Sequence, residues 1–503
     1  MDPKLTQETL AMIKAAFADT GARDNLAKTV TTSTGLVPYD LQAPSKNLYP
    51  VATPLRNVIP RVSGGVGLAT HWVSITSITG SGYDSMGWVP EGQRSARMSY
   101  TGTPVAASYV TLGEEDTFTF EAISAGRTFE DVWSTGVMRV LQKMMLKEEN
   151  AILGGNASVA LGTPTAPTVS SASTGGSIAA GTYLVQVVAL TYEGYRNFLA
   201  SGVTSLTAIA TSKSVTGADG QSYTLSGGSS NTSTSTSTGA LSGSTNTISA
   251  YTPAISGAVA YAWFVGTSGN VLLQTVTTIN SVALTSLVTS ARQNITTVTA
   301  DNSKNTLAFN GLIYSAVNSG NAYLATQATG TNGVGTPLTS SGRGSVVEID
   351  TMLQTMWNNY QVSPTVLYMN AQEINNVTTK VLSNASGPLL RYNNESGSPY
   401  GIVANGMVEA YFNPFALDGG IKIPVKIHPY LPPGTIIGWS DRLPMQYQNN
   451  NTPNVAEVKT RVDYYGIDWP VTTRSRDYGV YAEEVLAVYA PFALGMISNI
   501  GNG

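Results

Sequence analysis

Cysteine is absent from the 503 residues, which excludes disulfides, thiolate zinc sites and cysteine nucleophiles at once. Histidine is almost as scarce: His71 and His428 stand far apart in apolar or proline-rich surroundings, and each reads as a satisfied or partly exposed imidazole. Charged residues make up 12% of the chain, about half the usual share. Lys and Arg number 27 against 31 Asp and Glu, so no overall basic field exists to drive tight, sequence-reading contact with nucleic acid. No uninterrupted apolar run approaches the ~18 residues of a membrane span, and residues 1–25 scatter acids and bases among their apolar positions; neither a span nor a secretory signal is expected. The GK dipeptide of a phosphate loop, the GxSxG elbow, the HExxH helix and the EF-hand loop are all missing, so the chain is read as no enzyme, with no metal and no cofactor.

What is present is glycine (50) and proline (24), the mark of strand and loop, in a length that allows two to four domains at roughly 100 to 200 residues each. Leu5, Leu10, Met12, Ile13, Ala16 and Phe17 recur at helical spacing and predict a short helix over residues 4–20. From Gly35 to Val62, prolines 38, 44, 50, 54 and 60 favour extended backbone at the residues before them. Leu41, Leu48, Tyr49, Val51, Leu55, Val58 and Ile59 are then too strung out to form a core of their own, and they must pack on the rest of this chain or on a neighbour.

Residues 66–120 read as a long two-stranded β excursion, with HWVSITSI and SYVTLGEEDTFTF flanking a stretch rich in turn formers. A long helix follows, with Phe129, Val132, Trp133, Val137, Val140, Leu141, Met144 and Met145 at its apolar spacing and Gly154 and Gly155 at its end. Between Ala157 and Ala300 the composition breaks: Glu193, Arg196, Lys213, Asp219 and Arg292 are the only charges in 144 residues. TYLVQVVALT, AYAWFVG and NVLLQTVTTI are strand-like, SSNTSTSTSTGALSGSTNT reads as one long polar loop, and the whole reads as an inserted antiparallel sandwich. With Tyr183 and Tyr261 it resembles an immunoglobulin-like or fibronectin-type module. After Ala300 a helix through Val346–Trp357, the strand SPTVLYMN and the helix AQEINNVTTKVL predict an α/β layer, and from Ile421 onward the chain reads as strands with tight turns.

Gly64, Gly65 and Gly67 imitate a dinucleotide loop without its final glycine or its acidic partner, and are discounted. The cluster Glu114, Glu115 and Asp116 reads as solvated or salt-bridging, with Arg94 and Arg97 of the preceding hairpin as candidates for the other half of an ion pair between chains. Arg139, Lys143 and Lys147, spaced i, i+4, i+8, form a stripe on the long helix; its alternatives are a solvated face with snorkelling stems or a face toward packaged nucleic-acid phosphates.

Four parts in this order, LYPVATPLRNVIPRV, a long β excursion, a helix ending KEENAILGGN, and GSVVEIDTMLQTMWNNYQVSPTVLYMNAQEINNVTTKVL, resemble the major capsid protein of tailed bacteriophages with its Hong Kong 97-type fold. The resemblance covers residues 36–155 and 301–495. It implies an α+β chain with an N-terminal arm at 1–65, an E-loop at 66–120, a spine helix and first part of the P-domain at 121–156, mainly A-domain at 301–440 and P-domain return strands at 441–503. The immunoglobulin-like insertion at 157–300 is foreign to that pattern and is expected to be an outer module whose removal spares the shell. The resemblance further implies hexamers and pentamers closing into an icosahedral virion shell around double-stranded DNA in the host bacterial cytoplasm, with portal, scaffolding or decoration proteins as further partners and no membrane. An encapsulin-like nanocompartment and a surface adhesin or glycan-binding β protein are the rival readings. The adhesin explains neither the long helix nor the missing secretion signal.

Overall fold

The structure is a computed structural model and describes residues 49–80, 86–127, 131–200, 207–341, 344–383, 408–416, 419–441, 443 and 454–501. The helix expected at 4–20, the arm residues Leu41 and Leu48, and Phe129 lie outside the described residues. The chain divides into a smaller unit, Met1–Pro50 with Phe118–Gly136, and a larger one, Val51–Thr117 with Val137–Gly503.

The larger unit begins with a short helix, α1 (Pro54–Val58), where extended chain was expected. Pro54 sits in its first turn, the one place where a missing N–H costs a helix nothing. Strand β1 (Arg61–Ser63) follows, then β2 (Ala69–Thr79) and β3 (Ser99–Ser108), which pair antiparallel as an isolated ribbon. SYVTLGEEDTFTF, expected as the excursion's second strand, is instead β4 (Val110–Thr119) in a four-stranded sheet, and the ribbon's second strand begins within the stretch that reads as turn formers. In the smaller unit, α2 (Phe120–Gly126) starts where the Thr119 hydroxyl accepts a hydrogen bond from the Ala122 N–H. The long helix α3 (Val132–Gly154) opens on Asp131, whose carboxylate accepts from the Ser134 N–H at 3.2 Å. Phe118 stands edge-on to Trp133 at 5.3 Å, and a Cβ on Gly136 would lie 2.0 Å from the Phe118 ring, so any larger residue there would have to displace that ring.

The insert carries β5 (Thr168–Ala172), β6 (Gly181–Leu190), α4 (Tyr192–Ala200), β7 (Ser212–Thr216), β8 (Ser222–Ser226), β9 (Thr236–Leu241), β10 (Thr247–Tyr251), β11 (Ala260–Thr267), β12 (Asn270–Thr277) and β13 (Ser281–Leu284). Two sheets, ordered β13-β10-β5 and β12-β11-β6-β9, enclose Val185, Val187, Ile248, Tyr261, Trp263 and Val282; β7 and β8 form a separate hairpin. The opposite face of β6 and β11 is also covered, Val188, Leu190, Ala262 and Phe264 packing with Phe198, Ile209 and Ile295. Burial on both faces is why these two strands read as continuous apolar runs rather than alternating ones.

The Ser/Thr tract is not a solvent loop. Ser229, Ser230 and Ser233 are buried, and Thr236–Leu241 is an edge strand. The hydroxyls of Ser230 and Ser233 accept from the N–H groups of Ala189 and Val187 at 2.8 and 2.9 Å, while their own N–H groups donate to the carbonyls of the same two residues. A polar side chain that satisfies a buried strand in this way is invisible to hydropathy.

Nor is the insert merely tethered at its ends. Tyr192 lies in one buried cluster with Ile152, Leu153, Phe309 and Tyr314. The Tyr314 hydroxyl accepts from the Tyr192 N–H at 2.8 Å and donates to the Gly257 carbonyl at 3.1 Å, and the Tyr192 hydroxyl donates to Asn150 at 2.7 Å. At the far side, the Asn280 N–H donates to the Asn499 side chain at 2.8 Å and the Asn499 amide donates back to Asn280 and to the Gln327 carbonyl.

The remaining elements are α5 (Leu312–Ser319), β14 (Tyr323–Thr326), α6 (Val347–Tyr360), β15 (Val366–Met369), α7 (Ala371–Ser383), β16 (Ala410–Asn413), β17 (Ile421–Ile427), β18 (Ile436–Trp439), β19 (Ala456–Asp468), β20 (Ser475–Val488) and β21 (Leu494–Ser498). The helix, strand, helix order expected around SPTVLYMN is α6, β15, α7, and the Asn370 side chain accepts from the Gln372 N–H as α7 begins. The final segment splits. Strands β19 and β20 return to the sheet ordered β1-β19-β20-β4, against which Val140 and Met144 of α3 pack, but β21 enters a six-stranded sheet, β14-β21-β18-β15-β17-β16. Residues 441–503 are therefore not all return strands to one sheet: Ile497 is apolar enough to be buried with Leu367 and Ile436 in the second core. The architecture is mixed α+β.

A candidate assembly ribbon and a buried ionic cluster on the long helix

The β2–β3 ribbon has no core. Val73, Ile75, Ile78, Met98 and Tyr100 are each more than half exposed, and Trp88, on the connection, is 90% exposed. At its base the ribbon is fastened: Trp72 meets Tyr489 edge-on at 5.2 Å, the Gly65 N–H donates to the Thr460 carbonyl, and Arg461 donates to the Gly67 carbonyl while pairing with Glu483 at 2.5 Å. Gly64 (φ +93°) and Gly67 (φ +77°) take the left-handed backbone needed to turn the chain out of the sheet, which accounts for the glycines that imitate a dinucleotide loop.

Arg94 and Arg97 are exposed on the same connection and have no ion pair among the described residues. The three acids are engaged within the chain. Glu114 pairs with Lys147, Glu115 accepts from the Trp469 indole at 3.1 Å and from the Tyr481 hydroxyl, and Asp116 accepts from the Thr117 N–H at 2.8 Å. Arg139, Lys143 and Lys147 are exposed on α3, so the structure joins one member of the basic stripe to one member of the acidic cluster and leaves the arginines of the ribbon apart from both.

Further along α3, Glu148 and Glu149 are fully buried. Here the helix enters the body, with Ile152 and Leu153 in the core, and ends at two glycines that other parts of the chain touch: a Cβ on Gly154 would lie 2.3 Å from the Tyr192 ring and one on Gly155 2.5 Å from the Phe309 carbonyl. Glu148 accepts from Arg56 Nε at 2.6 Å, from Arg61 Nη1 and from the Tyr464 hydroxyl. Arg61 Nη2 also reaches Asp463 at 2.7 Å and Glu484 at 3.0 Å, and both guanidinium groups lie over the Tyr464 ring at 5.2 and 5.1 Å. Burial opposes the charge on Arg61, but Glu148, Glu484 and Asp463 outweigh it and hold the guanidinium protonated well above its ordinary value. Burial likewise works against ionised Asp463, and the hydrogen bond from Arg61 overcomes it, lowering that carboxyl.

Glu149 fastens the first segment by its backbone. Its carboxylate accepts from the N–H groups of Leu55 and Arg56 at 3.0 and 2.8 Å and from His428 Nε2 at 2.7 Å. The Tyr430 N–H donates to His428 Nδ1 at 3.3 Å, which leaves Nε2 as the donor nitrogen toward Glu149. His428 is therefore the satisfied imidazole expected of it, and His71 is exposed on the ribbon. The cluster as a whole escaped the sequence reading. Its one visible signal was a pair of adjacent acids within the apolar end of a helix.

No family model matches the chain, and no curated protein matches it. Among solved structures it is similar to the capsid of a native GTA particle (9% identity, 94% of this chain and 99% of that one, TM-score 0.39) and to the capsid of Myoviridae phage XM1 (8% identity, 93% and 98%, TM-score 0.39). A holo-SrpI encapsulin complex from Synechococcus elongatus is similar over 35% of this chain and 53% of that one, at 15% identity and TM-score 0.21. Identities this low carry no residue role from those proteins to this one.

Proposed function

We propose that this chain is a major capsid protein of a tailed bacteriophage, forming hexamers and pentamers that close into the icosahedral shell of the virion around double-stranded DNA, assembled in the host cytoplasm. The observation that supports it most is the ribbon: a two-stranded sheet is marginal alone in water, and one this apolar is a surface for a further copy of the chain. The order of arm, β excursion, long helix and α/β block in the sequence agrees with that reading. The Arg139 and Lys143 stretch of α3 is then a non-specific contact for packaged DNA, Arg94 and Arg97 are contacts between subunits, and portal, scaffolding or decoration proteins are further partners.

Purified protein, imaged by electron microscopy, is expected to form closed shells. A Trp88→Asp, Tyr100→Asp double variant should keep its circular dichroism and its stability, because exposed sites change stability by about 0.5 kcal/mol or less, yet form none. Normal shells from that variant would refute the role of the ribbon, and shells filled with protein instead of DNA would point to a nanocompartment.

The shell is expected to be noncovalent. No lysine lies between Lys46 and Lys143 to form an isopeptide from the ribbon, and there is no cysteine. Boiling particles in denaturing detergent should release a single band near 52.7 kDa; a ladder of covalent multimers would contradict this.

A further inference from the structure

Five charged side chains meet under the long helix: Arg56 from α1, Arg61 from β1, Glu148 from α3, Asp463 from β19 and Glu484 from β20, with the Tyr464 hydroxyl among them. Fully ionised, they carry three negative charges against two positive ones. The excess is unevenly placed. Glu148 has Arg56, Arg61 and Tyr464 as donors, and Asp463 is 54% exposed, so water serves it. Glu484 is fully buried, with one oxygen taking a single bond from Arg61 and the other, Oε1, without a partner among the described residues. Directly across the strand pair is Thr460, whose hydroxyl is also buried and has no partner among the described residues. Beyond the cluster, Glu149 is committed to His428 and the backbone of α1, and Arg461 and Glu483 neutralise each other.

A buried carboxylate oxygen with no donor is costly, and a proton on it removes both the missing bond and the surplus charge. We infer that Glu484 is a proton-operated latch: it holds a proton while α1, β1, α3 and the β19–β20 pair are packed together, and gives it up when they part. Burial first, and then the neighbouring Glu148, push its carboxyl up to about 7 against the opposing pull of Arg61. The sign follows. The packed state binds more protons than the opened one between the ordinary value of 4.5 and about 7, so the latch contributes fully below that window and its contribution is lost as pH rises through about 7.

The test uses the full chain. Thermal unfolding from pH 5.5 to 8.5 should show the wild-type midpoint falling by a few degrees as pH rises. Glu484→Gln, neutral at every pH, should flatten that slope and be the more stable protein at pH 8.5, whereas Glu483→Gln should keep the wild-type slope. A Glu484→Gln variant with an undiminished slope would overturn the inference. So would a wild-type midpoint that does not fall with pH. Should Glu484→Gln not fold, infrared spectra of the wild type decide: the absorption of a protonated carboxyl must be present at pH 6 and gone at pH 8.5, and its absence at pH 6 would equally overturn the latch.

Discussion

Replacing residues 157–300 by a short linker is expected to abolish soluble expression rather than yield a trimmed shell. The deletion takes Tyr192 out of the cluster it shares with Ile152, Leu153, Phe309 and Tyr314, and the loss of a buried aromatic of that size costs about 3 to 5 kcal/mol. It also strips the Tyr314 hydroxyl of both its partners and leaves the buried Asn499 amide without Asn280, each at roughly 1 to 3 kcal/mol. Together these approach the whole stability of a typical domain, about 5 to 15 kcal/mol. The milder Tyr192→Ala should remain soluble but melt at a lower temperature. Soluble, shell-forming protein from the deletion would show that the insert is a separable module after all.

Truncation at the N-terminus should depend sharply on where it is made. Removal of residues 1–50 spares the larger unit, whereas removal of 1–60 also takes Leu55 and Ile59, 1% and 3% exposed, from the main core. It takes Arg56 from Glu148 as well, along with the two N–H donors that hold Glu149. The shorter truncation is expected to stay soluble and the longer one to aggregate. Glu149→Ala isolates the electrostatic share: the N–H groups of Leu55 and Arg56 and the His428 ring lose their acceptor together, and breaking buried charged contacts of this kind costs about 3 to 5 kcal/mol. Urea denaturation should place its midpoint well below that of the wild type. An unchanged midpoint would mean that the segment is held by its apolar contacts alone.

In both regions the packing departs from simpler expectations in the same direction. An apolar arm strung along the chain was open to packing on this chain or on a neighbour, and Leu55 and Ile59 are buried in their own chain while Tyr49 and Val58 remain exposed. A charge-poor insert looked self-contained, yet Tyr192 and Asn280 are sunk in the body. Counting charges finds a change of composition, but it cannot tell an independent module from one whose own residues complete a shared core.

The sequence by itself determined the α+β class, the first strand of the ribbon, the long helix with its double-glycine stop, the sandwich strands and the order α6, β15, α7, but it mistook β4 for the ribbon's second strand. These are written in periodicity, in the refusal of glycine and proline to continue a helix, and in contacts within a few residues, all local properties of the chain. Only the tertiary structure decided what Glu148, Glu149 and Glu484 face, which sheet β21 joins, and why serines 230 and 233 are buried. Arg61 and Glu484 are 423 residues apart and His428 and Glu149 are 279 apart. A carboxylate has no periodicity that announces its partner, and whether it meets a guanidinium, a backbone N–H or a proton is settled only when folding brings the distant strands together and removes the water between them.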